Sequence, residues 1–274
     1  MPRFAMIQTP VFSLQRRLRD LTAGVYIDEF AELHTKDLVV RERLGHNVPS
    51  AGVGTAFSRE AFDHVAESNR NQVFRLDSLT EDYDFGFRLG ELGLKSIFVR
   101  FPVEHEVTRR PWWSTKPRKT IVRDYVATRE YFPNKFWASV RQKTRWVIGI
   151  ALQGWEHLGW RGSWRTKYVL FRDRKILFTS TVNILGYVVV SVVAGFWLYE
   201  HLADVPYRFS PLAGLDGWVL VLLVLNGAFF LLRLVQSAIS VTRLYGIRQG
   251  LMSAPRLVLG NVIMFLGCWR AMWQ

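Results

Sequence analysis

Residues 78–88 read SLTEDYDFGFR, and the reading of this stretch decides what the chain around it is. Ser78 and Glu81 have the S-x-x-E spacing of a capping box, in which two side chains satisfy backbone donors at a helix start. Glu81, Asp82 and Asp84 put negative charge in the first turn, where the helix dipole favours it. Asp84 and Arg88 are four apart and can pair. Phe85, Leu89 and Leu92 form an apolar stripe, and Gly93 is placed to end it. A helix is therefore expected within 77–92. Residues 95–103, KSIFVRFPV, follow as a strand, and the alternation of helix and strand indicates an α/β domain.

Upstream, residues 4–13 (FAMIQTPVFS) read as a short buried strand running into a loop, so abruptly that the chain is expected to begin inside a domain. In 25–36, Tyr26, Phe30 and Leu33 have helical spacing, which predicts an amphipathic helix. Residues 48–58, with Gly52 and Gly54 and few charges, suit a loop and strand that pass close to something, and helix signals resume over 59–67. Downstream, residues 107–120 (VTRRPWWSTKPRKT) suit either a solvated basic loop or an interfacial anchor on anionic headgroups. A long helix is expected from Pro133, since proline fits a first turn. Its Gln142, Arg145 and Trp146, at i, i+3 and i+4, share one face, beside a basic stripe of Arg141, Lys143 and Arg145.

The 274 residues are 49% hydrophobic yet carry a net charge of +13. A soluble domain seldom combines the two, whereas a membrane protein with a basic cytoplasmic side does. A nucleic-acid binder is the weaker explanation, because the apolar residues lie in runs too long for a soluble module. Ile176–Tyr199 has no formal charge before Glu200 and is long enough to cross a bilayer core of about 30 Å. Trp218–Val241 is a second candidate span; Arg233 within it should sit near the cytoplasmic end or face protein. Leu251–Trp269, with Pro255, Arg256 and Gly260 inside it, reads as an interfacial or re-entrant segment more than a third span. Trp155, Trp160 and Trp164 among basic residues suit a membrane surface. The positive-inside rule puts 1–175 in the cytoplasm and the 200–217 loop in the periplasm. The expected organisation is a cytoplasmic domain over 1–150, an interfacial basic segment over 151–175 and a membrane region over 176–274.

Two stretches can carry chemistry. A carboxylate at a helix start, such as Asp82, can take the proton of an attacking hydroxyl. Arg145 can grip a diphosphate, Gln142 can add a neutral hydrogen bond, and Trp146 offers a flat face to a sugar ring. Taken singly, each also fits a common structural role: an acidic first turn, and an amphipathic helix with an interfacial tryptophan. Among the other candidates, His105 between Glu104 and Glu106 is better read as a surface residue than a metal ligand. No nucleophile elbow and no glycine-rich phosphate loop occurs. The lone Cys268 excludes an internal disulfide.

Together, Thr80-Glu81-Asp82 and, some sixty positions later, Gln142-x-x-Arg145-Trp146, followed by apolar helices, resemble the membrane-bound family 2 glycosyltransferases, the processive polysaccharide synthases. The resemblance covers most of the chain. It implies a partial glycosyltransferase-A (Rossmann-like) α/β domain followed by transmembrane and interfacial helices in the bacterial inner membrane. It implies an inverting transfer from a nucleotide-sugar donor to a glycan acceptor, a growing polysaccharide. Asp82 then matches the base; Gln142, Arg145 and Trp146 match the diphosphate and acceptor contacts, with Glu81 beside them; and Gly54-Thr55 resembles the acceptor-site segment. Mg²⁺ or Mn²⁺ is implied on the donor diphosphate, held by a D-x-D in a donor half that these residues lack. Asp82-Tyr83-Asp84 is that spelling in the wrong place. The chain is therefore expected to be the C-terminal part of a longer enzyme, inactive by itself. Membrane lipid is a further expected partner and nucleic acid is not. The second reading is a non-catalytic membrane component of phage adsorption or polysaccharide export, with an outer-membrane export or phage-receptor partner.

Overall fold

A computed structural model describes residues 4–45, 48–109, 116–203 and 218–274. The fold is mixed α/β with two long apolar helices. Strands β1 (Met6–Gln8) and β2 (Val11–Ser13) split the expected first strand in two, because Thr9 and Pro10 turn the chain between sheets. Helix α1 (Leu21–Glu32) runs into a π-helical turn, Leu33–Asp37, and then α2 (Leu38–Gly45). Strand β3 (Thr55–Phe57), helix α3 (Arg59–Ser68), helix α4 (Glu81–Glu91) and strand β4 (Ser96–Phe98) follow. Strand β1 is the centre of a three-stranded sheet, antiparallel to β3 and parallel to β4.

The helix expected from SLTEDYDFGFR forms, but not by the expected cap. Thr80, not Ser78, occupies the N-cap, and its side chain makes no capping bond. Ser78 and Glu81 therefore do not form a capping box. Asp84 pairs with Arg75 at 3.2 Å, while Arg88 donates to the carbonyl of Val73 at 3.1 Å, so the expected Asp84–Arg88 pair yields to two longer-range partners. The stop is as expected. Gly93 has φ +73°, the Leu94 N–H donates to the Leu89 carbonyl at 2.9 Å and the Gly93 N–H to that of Gly90 at 3.1 Å, the pair of bonds that closes a Schellman motif. Phe85 and Leu89 are fully buried against Met6, Leu38, Val65 and Phe98, the main core.

Strands β5 (Pro102–Arg109) and β6 (Arg118–Tyr125) form an antiparallel ribbon. The basic segment 107–120 is thus strand at both ends rather than loop throughout; residues 110–115, with both tryptophans, lie outside the described residues. Strand β7 (Thr128–Glu130) pairs parallel with β2. Helix α5 (Phe136–Trp146) starts three residues beyond Pro133, whose carbonyl accepts from Ser139 Oγ at 3.4 Å. A second π-helical segment, Val147–Gln153, and α6 (Gly154–Leu158) continue it. Helix α7 (Trp164–Arg174), capped by the Ser163 side chain, is separated by Lys175 alone from α8 (Ile176–Ala203). Next come α9 (Trp218–Tyr245), α10 (Ile247–Leu251) and α11 (Ser253–Met272).

Two helices, over Ile176–Ala203 and Val224–Tyr245, are long and apolar enough to cross a membrane, and their side chains are largely exposed. At 28 residues α8 spans about 42 Å. The loop between them, over 204–217, lies outside the described residues. Arg233 faces protein, paired with Glu32 of α1, and α9 is tied again where Tyr245 Oη donates to the Ser13 carbonyl at 2.8 Å. Residues 251–269 belong mostly to α11, a continuous helix packed on α1, α5 and α8. Gly260 and Gly267 let it approach, since a Cβ on either would stand 3.1 Å from Val25 or Lys143. This explains why α1 is buried nearly all round instead of amphipathic: α9 and α11 pack on it as well as β2.

Candidate active site

The start of α4 meets a glycine loop on one side and the second π-helical segment on the other. Gly52 has φ +74°, and a Cβ there would stand 2.8 Å from Asp82 Oδ2. Only glycine lets the loop lie this close to the carboxylate. The loop is held by Gln8, a fully buried residue of β1 that local pattern reading passes over. Its Nε2 donates to the Val53 carbonyl at 2.9 Å, and its Oε1 accepts from the Ala51 N–H at 2.8 Å and Thr55 Oγ1 at 2.6 Å. Of the glycine segment it is therefore Gly52 that faces Asp82. Gly54 is turned toward the hydroxyls of Thr9 and Thr128, and Thr55 toward Gln8 and Ser50.

Asp82 is half-buried. Its Oδ1 accepts from the N–H of Tyr83 at 2.9 Å. Burial, aided by the neighbouring Glu81 charge and opposed by the Tyr83 N–H, raises its carboxyl above the usual carboxylate range. Glu81 is exposed.

On α5, Trp146 packs edge-on against Tyr26 (ring centroids 6.1 Å apart) and Phe132 (6.4 Å) and at a tilt to Phe30 (6.1 Å). The Lys143 ammonium lies over the Trp146 ring, 4.6 Å from its centroid, and pairs with Glu29. Lys143 is thus buried beneath the helix and does not belong to an exposed basic stripe. Arg145 is exposed and, among the described residues, holds no ion pair; Gln142 is half-buried with its Oε1 atom unbonded.

The two expected stretches meet one turn beyond the motif. Gly149 lies against Thr80, so that a Cβ would stand 2.6 Å from Thr80 Cγ2 and 2.9 Å from its Cβ. Gln153 clamps the approach to α4 at two points: its Oε1 accepts from the Leu79 N–H at 2.9 Å, and its Nε2 donates to the Asp77 carbonyl at 2.8 Å. The π-helical widening of this turn aims Gly149 and Gln153 at the 77–80 backbone. Asp82 touches Gly52 and Tyr83, and Trp146 packs in the aromatic cluster; their two helices are joined through Thr80 and Gly149. Gly149→Ala is expected to push Thr80 aside and cost about 1–3 kcal/mol by overpacking. Thermal unfolding, with faster hydrogen exchange at Leu79 and Thr80, checks it.

The two aspartates of the D-x-D spelling do not share a site for a divalent ion. Asp82 faces Gly52 while Asp84, two residues on, is buried against Arg75, so the D-x-D spelling does not converge. Among the described residues no group of three or more His, Cys, Asp or Glu could bind a metal ion.

The sequence profile described as Glycosyl transferase family group 2 matches residues 1–200, across the α/β domain and most of α8. The chain belongs to this family. The family member is 42% identical over 273 residues, 98% of its length, to Bacteriophage adsorption protein B of Escherichia coli (strain K12). It matches Bacteriophage N4 adsorption protein B of Escherichia coli O157:H7 to the same extent. The aligned region is 36% of each relative, so the chain spans about a third of the length of the curated relatives it matches. No solved structure matches it.

Proposed function

We propose that this chain carries the acceptor side of a glycosyltransferase-A-type domain in the bacterial inner membrane, transferring a sugar from a nucleotide-sugar donor to a growing polysaccharide with inversion. The observation that carries the reading is the approach of a half-buried carboxylate at a helix start, Asp82, to a glycine loop, with the helix of Gln142, Arg145 and Trp146 tied to the same turn through Gly149 and Gln153. Asp82 takes the proton from the acceptor hydroxyl, and burial makes it a stronger base than a free carboxylate. The exposed Arg145, with Gln142, steadies the leaving diphosphate, and Trp146 receives the acceptor sugar. Glu81 lines the approach, and of the segment that holds Gly54-Thr55 it is Gly52 that faces the carboxylate. Helices α8 and α9 hold the domain against membrane lipid, with 1–175 cytoplasmic and 200–217 periplasmic.

The relatives are named for phage adsorption, and the second reading is a component of phage adsorption without catalysis of its own. One assay separates the two: nucleoside diphosphate release from UDP-glucose and UDP-N-acetylglucosamine by the membrane-inserted chain, alone and joined to the remainder of a full-length relative. Release that disappears in Asp82→Asn supports the enzyme. No release from either form favours the adsorption component.

A further inference from the structure

Arg172, Asp173 and Arg174, the last residues of α7 before Lys175 and α8, leave their helix in three directions. Arg172 Nη2 donates to Asp37 at 2.9 Å. Arg174 donates to the Gly154 carbonyl at 3.1 Å and lies over the rings of Trp155 and Trp160. Asp173 receives Arg41 on both carboxylate oxygens, Nη1 to Oδ2 at 2.9 Å and Nη2 to Oδ1, and also accepts from Tyr83 Oη at 2.6 Å. Tyr83 and Arg41 are both buried. Tyr83 follows Asp82, and its N–H is the donor that Asp82 Oδ1 accepts at 2.9 Å. One residue thus holds the Asp82 carboxylate by its backbone and is itself held by Asp173 through its side chain.

We propose that Asp173 is a positioning residue for Asp82: through Tyr83 it fixes the first turn of α4 and couples that turn to the helix that leads into α8. The catalytic consequence rests on the reading of Asp82 as the base; the coupling does not. A purely structural role for the Arg41–Asp173 pair would hold α7 to α2 and leave Asp82 indifferent. The Arg172–Asp37 bond, one residue away and without contact to α4, provides the control.

Asp82 is a suitable reporter because its surroundings are simple. Glu81 is the charged group it feels on α4. The loop 48–54 and the π-helical segment 147–153 contain no titratable side chain. Arg75, Arg88, Asp77 and His157 act on Asp84 instead.

The test treats the full chain in lipid nanodiscs with a water-soluble carbodiimide and glycine ethyl ester across a pH series, and follows Asp82 by peptide mass spectrometry. The reagent consumes protonated carboxyls, so the pH of half-conversion tracks Asp82. Tyr83→Phe and Asp173→Asn are each expected to lower that pH by roughly half a unit to one unit, because a loosened turn lets water reach the carboxylate. Arg172→Ala is expected to leave it unchanged. The proposal is overturned if Tyr83→Phe leaves the midpoint at its wild-type value, or if Arg172→Ala moves it as far. Diphosphate release from UDP-glucose and UDP-N-acetylglucosamine by the same variants joined to the remainder of a full-length relative keeps the two readings apart: a moved midpoint with an inactive joined wild-type protein supports the coupling and removes the catalytic role of Asp82.

Discussion

Asp82→Asn is expected to reduce sugar transfer by roughly 10²- to 10⁴-fold, the size of general-base help from a positioned side chain. Asparagine keeps the shape of the side chain, and its Oδ1 can still accept from the Tyr83 N–H, so folding and insertion should be unaffected. What it removes is the ability to take a proton. Transfer within about tenfold of wild type would show that another group is the base. The pH profile gives an independent check. Burial raises the Asp82 carboxyl above its ordinary range, and Glu81 adds to this. A base works when deprotonated, so the acid limb of the rate profile should lie above the usual carboxylate range, with activity rising through it. Stability moves the other way. A carboxyl raised by folding contributes most below its unfolded value, and that contribution is lost as pH rises through the folded value. The site therefore becomes active over the same interval in which it loses this part of its stability. Glu81→Gln, which removes the like charge, should move the limb to lower pH.

Much of this was legible in the chain and some was not, for reasons that separate cleanly. The helix at 81–91, its stop at Gly93, the strand before Ser58 and the long apolar helices were legible because local rules govern them: an apolar stripe at helical spacing, a left-handed glycine, a run of uncharged residues. Arg233 was expected to sit near the cytoplasmic end or to face protein, and its pair with Glu32 gives the second of these. The cap of α4 was misread because Ser78 and Glu81 have the right spacing while the helix starts two residues later, at Thr80, and the Ser78 hydroxyl accepts from the Thr80 N–H at 3.3 Å; Gln153, 74 residues away, satisfies the Leu79 N–H. Lys143 was placed on a surface stripe by its periodicity, and α11 buries it. Gln8, Gly52, Gly149 and Asp173 shape the candidate site, and their partners lie between 30 and more than 70 positions away, which no window of local spacing includes. A glutamine closing the apolar run VIGIALQ was the one available sign that this turn faces something polar.

Arg256→Met is expected to destabilise the packing of α11 on α1 by about 3–5 kcal/mol near pH 8, and by less near pH 5. Arg256 is 1% exposed, one of the most deeply buried large side chains of the protein. Its guanidinium reaches Asp28 Oδ1 at 3.3 Å, Gln249 Oε1 and the Gln249 carbonyl at 3.4 Å. Gly24 makes room for it: a Cβ there would stand 2.6 Å from Arg256 Cζ and 2.8 Å from Cδ. Methionine keeps much of the volume and removes the charge, leaving the Asp28 carboxylate in a site that excludes water. Burial already pushes the Asp28 carboxyl up to about 7 against the pull of Arg256. Without the arginine that value rises further. Asp28 is then neutral and tolerable at pH 5 but costly to ionise at pH 8, so the penalty grows with pH. The double variant Asp28→Asn, Arg256→Met removes both charges and should recover most of the loss at pH 8, because replacing a buried pair costs far less than orphaning one partner. Gly24→Ala reaches the same contact from the other side: its methyl expels the guanidinium while both charges remain. Unfolding of the detergent-solubilised chain at the two pH values measures all three. A single variant no less stable at pH 8 than at pH 5, or a double variant no better than the single, would mean that the α1–α11 contact is held by its apolar residues, Val25 and Ile263, with Val140 of α5 packed against them, and that Arg256 is a passenger in it.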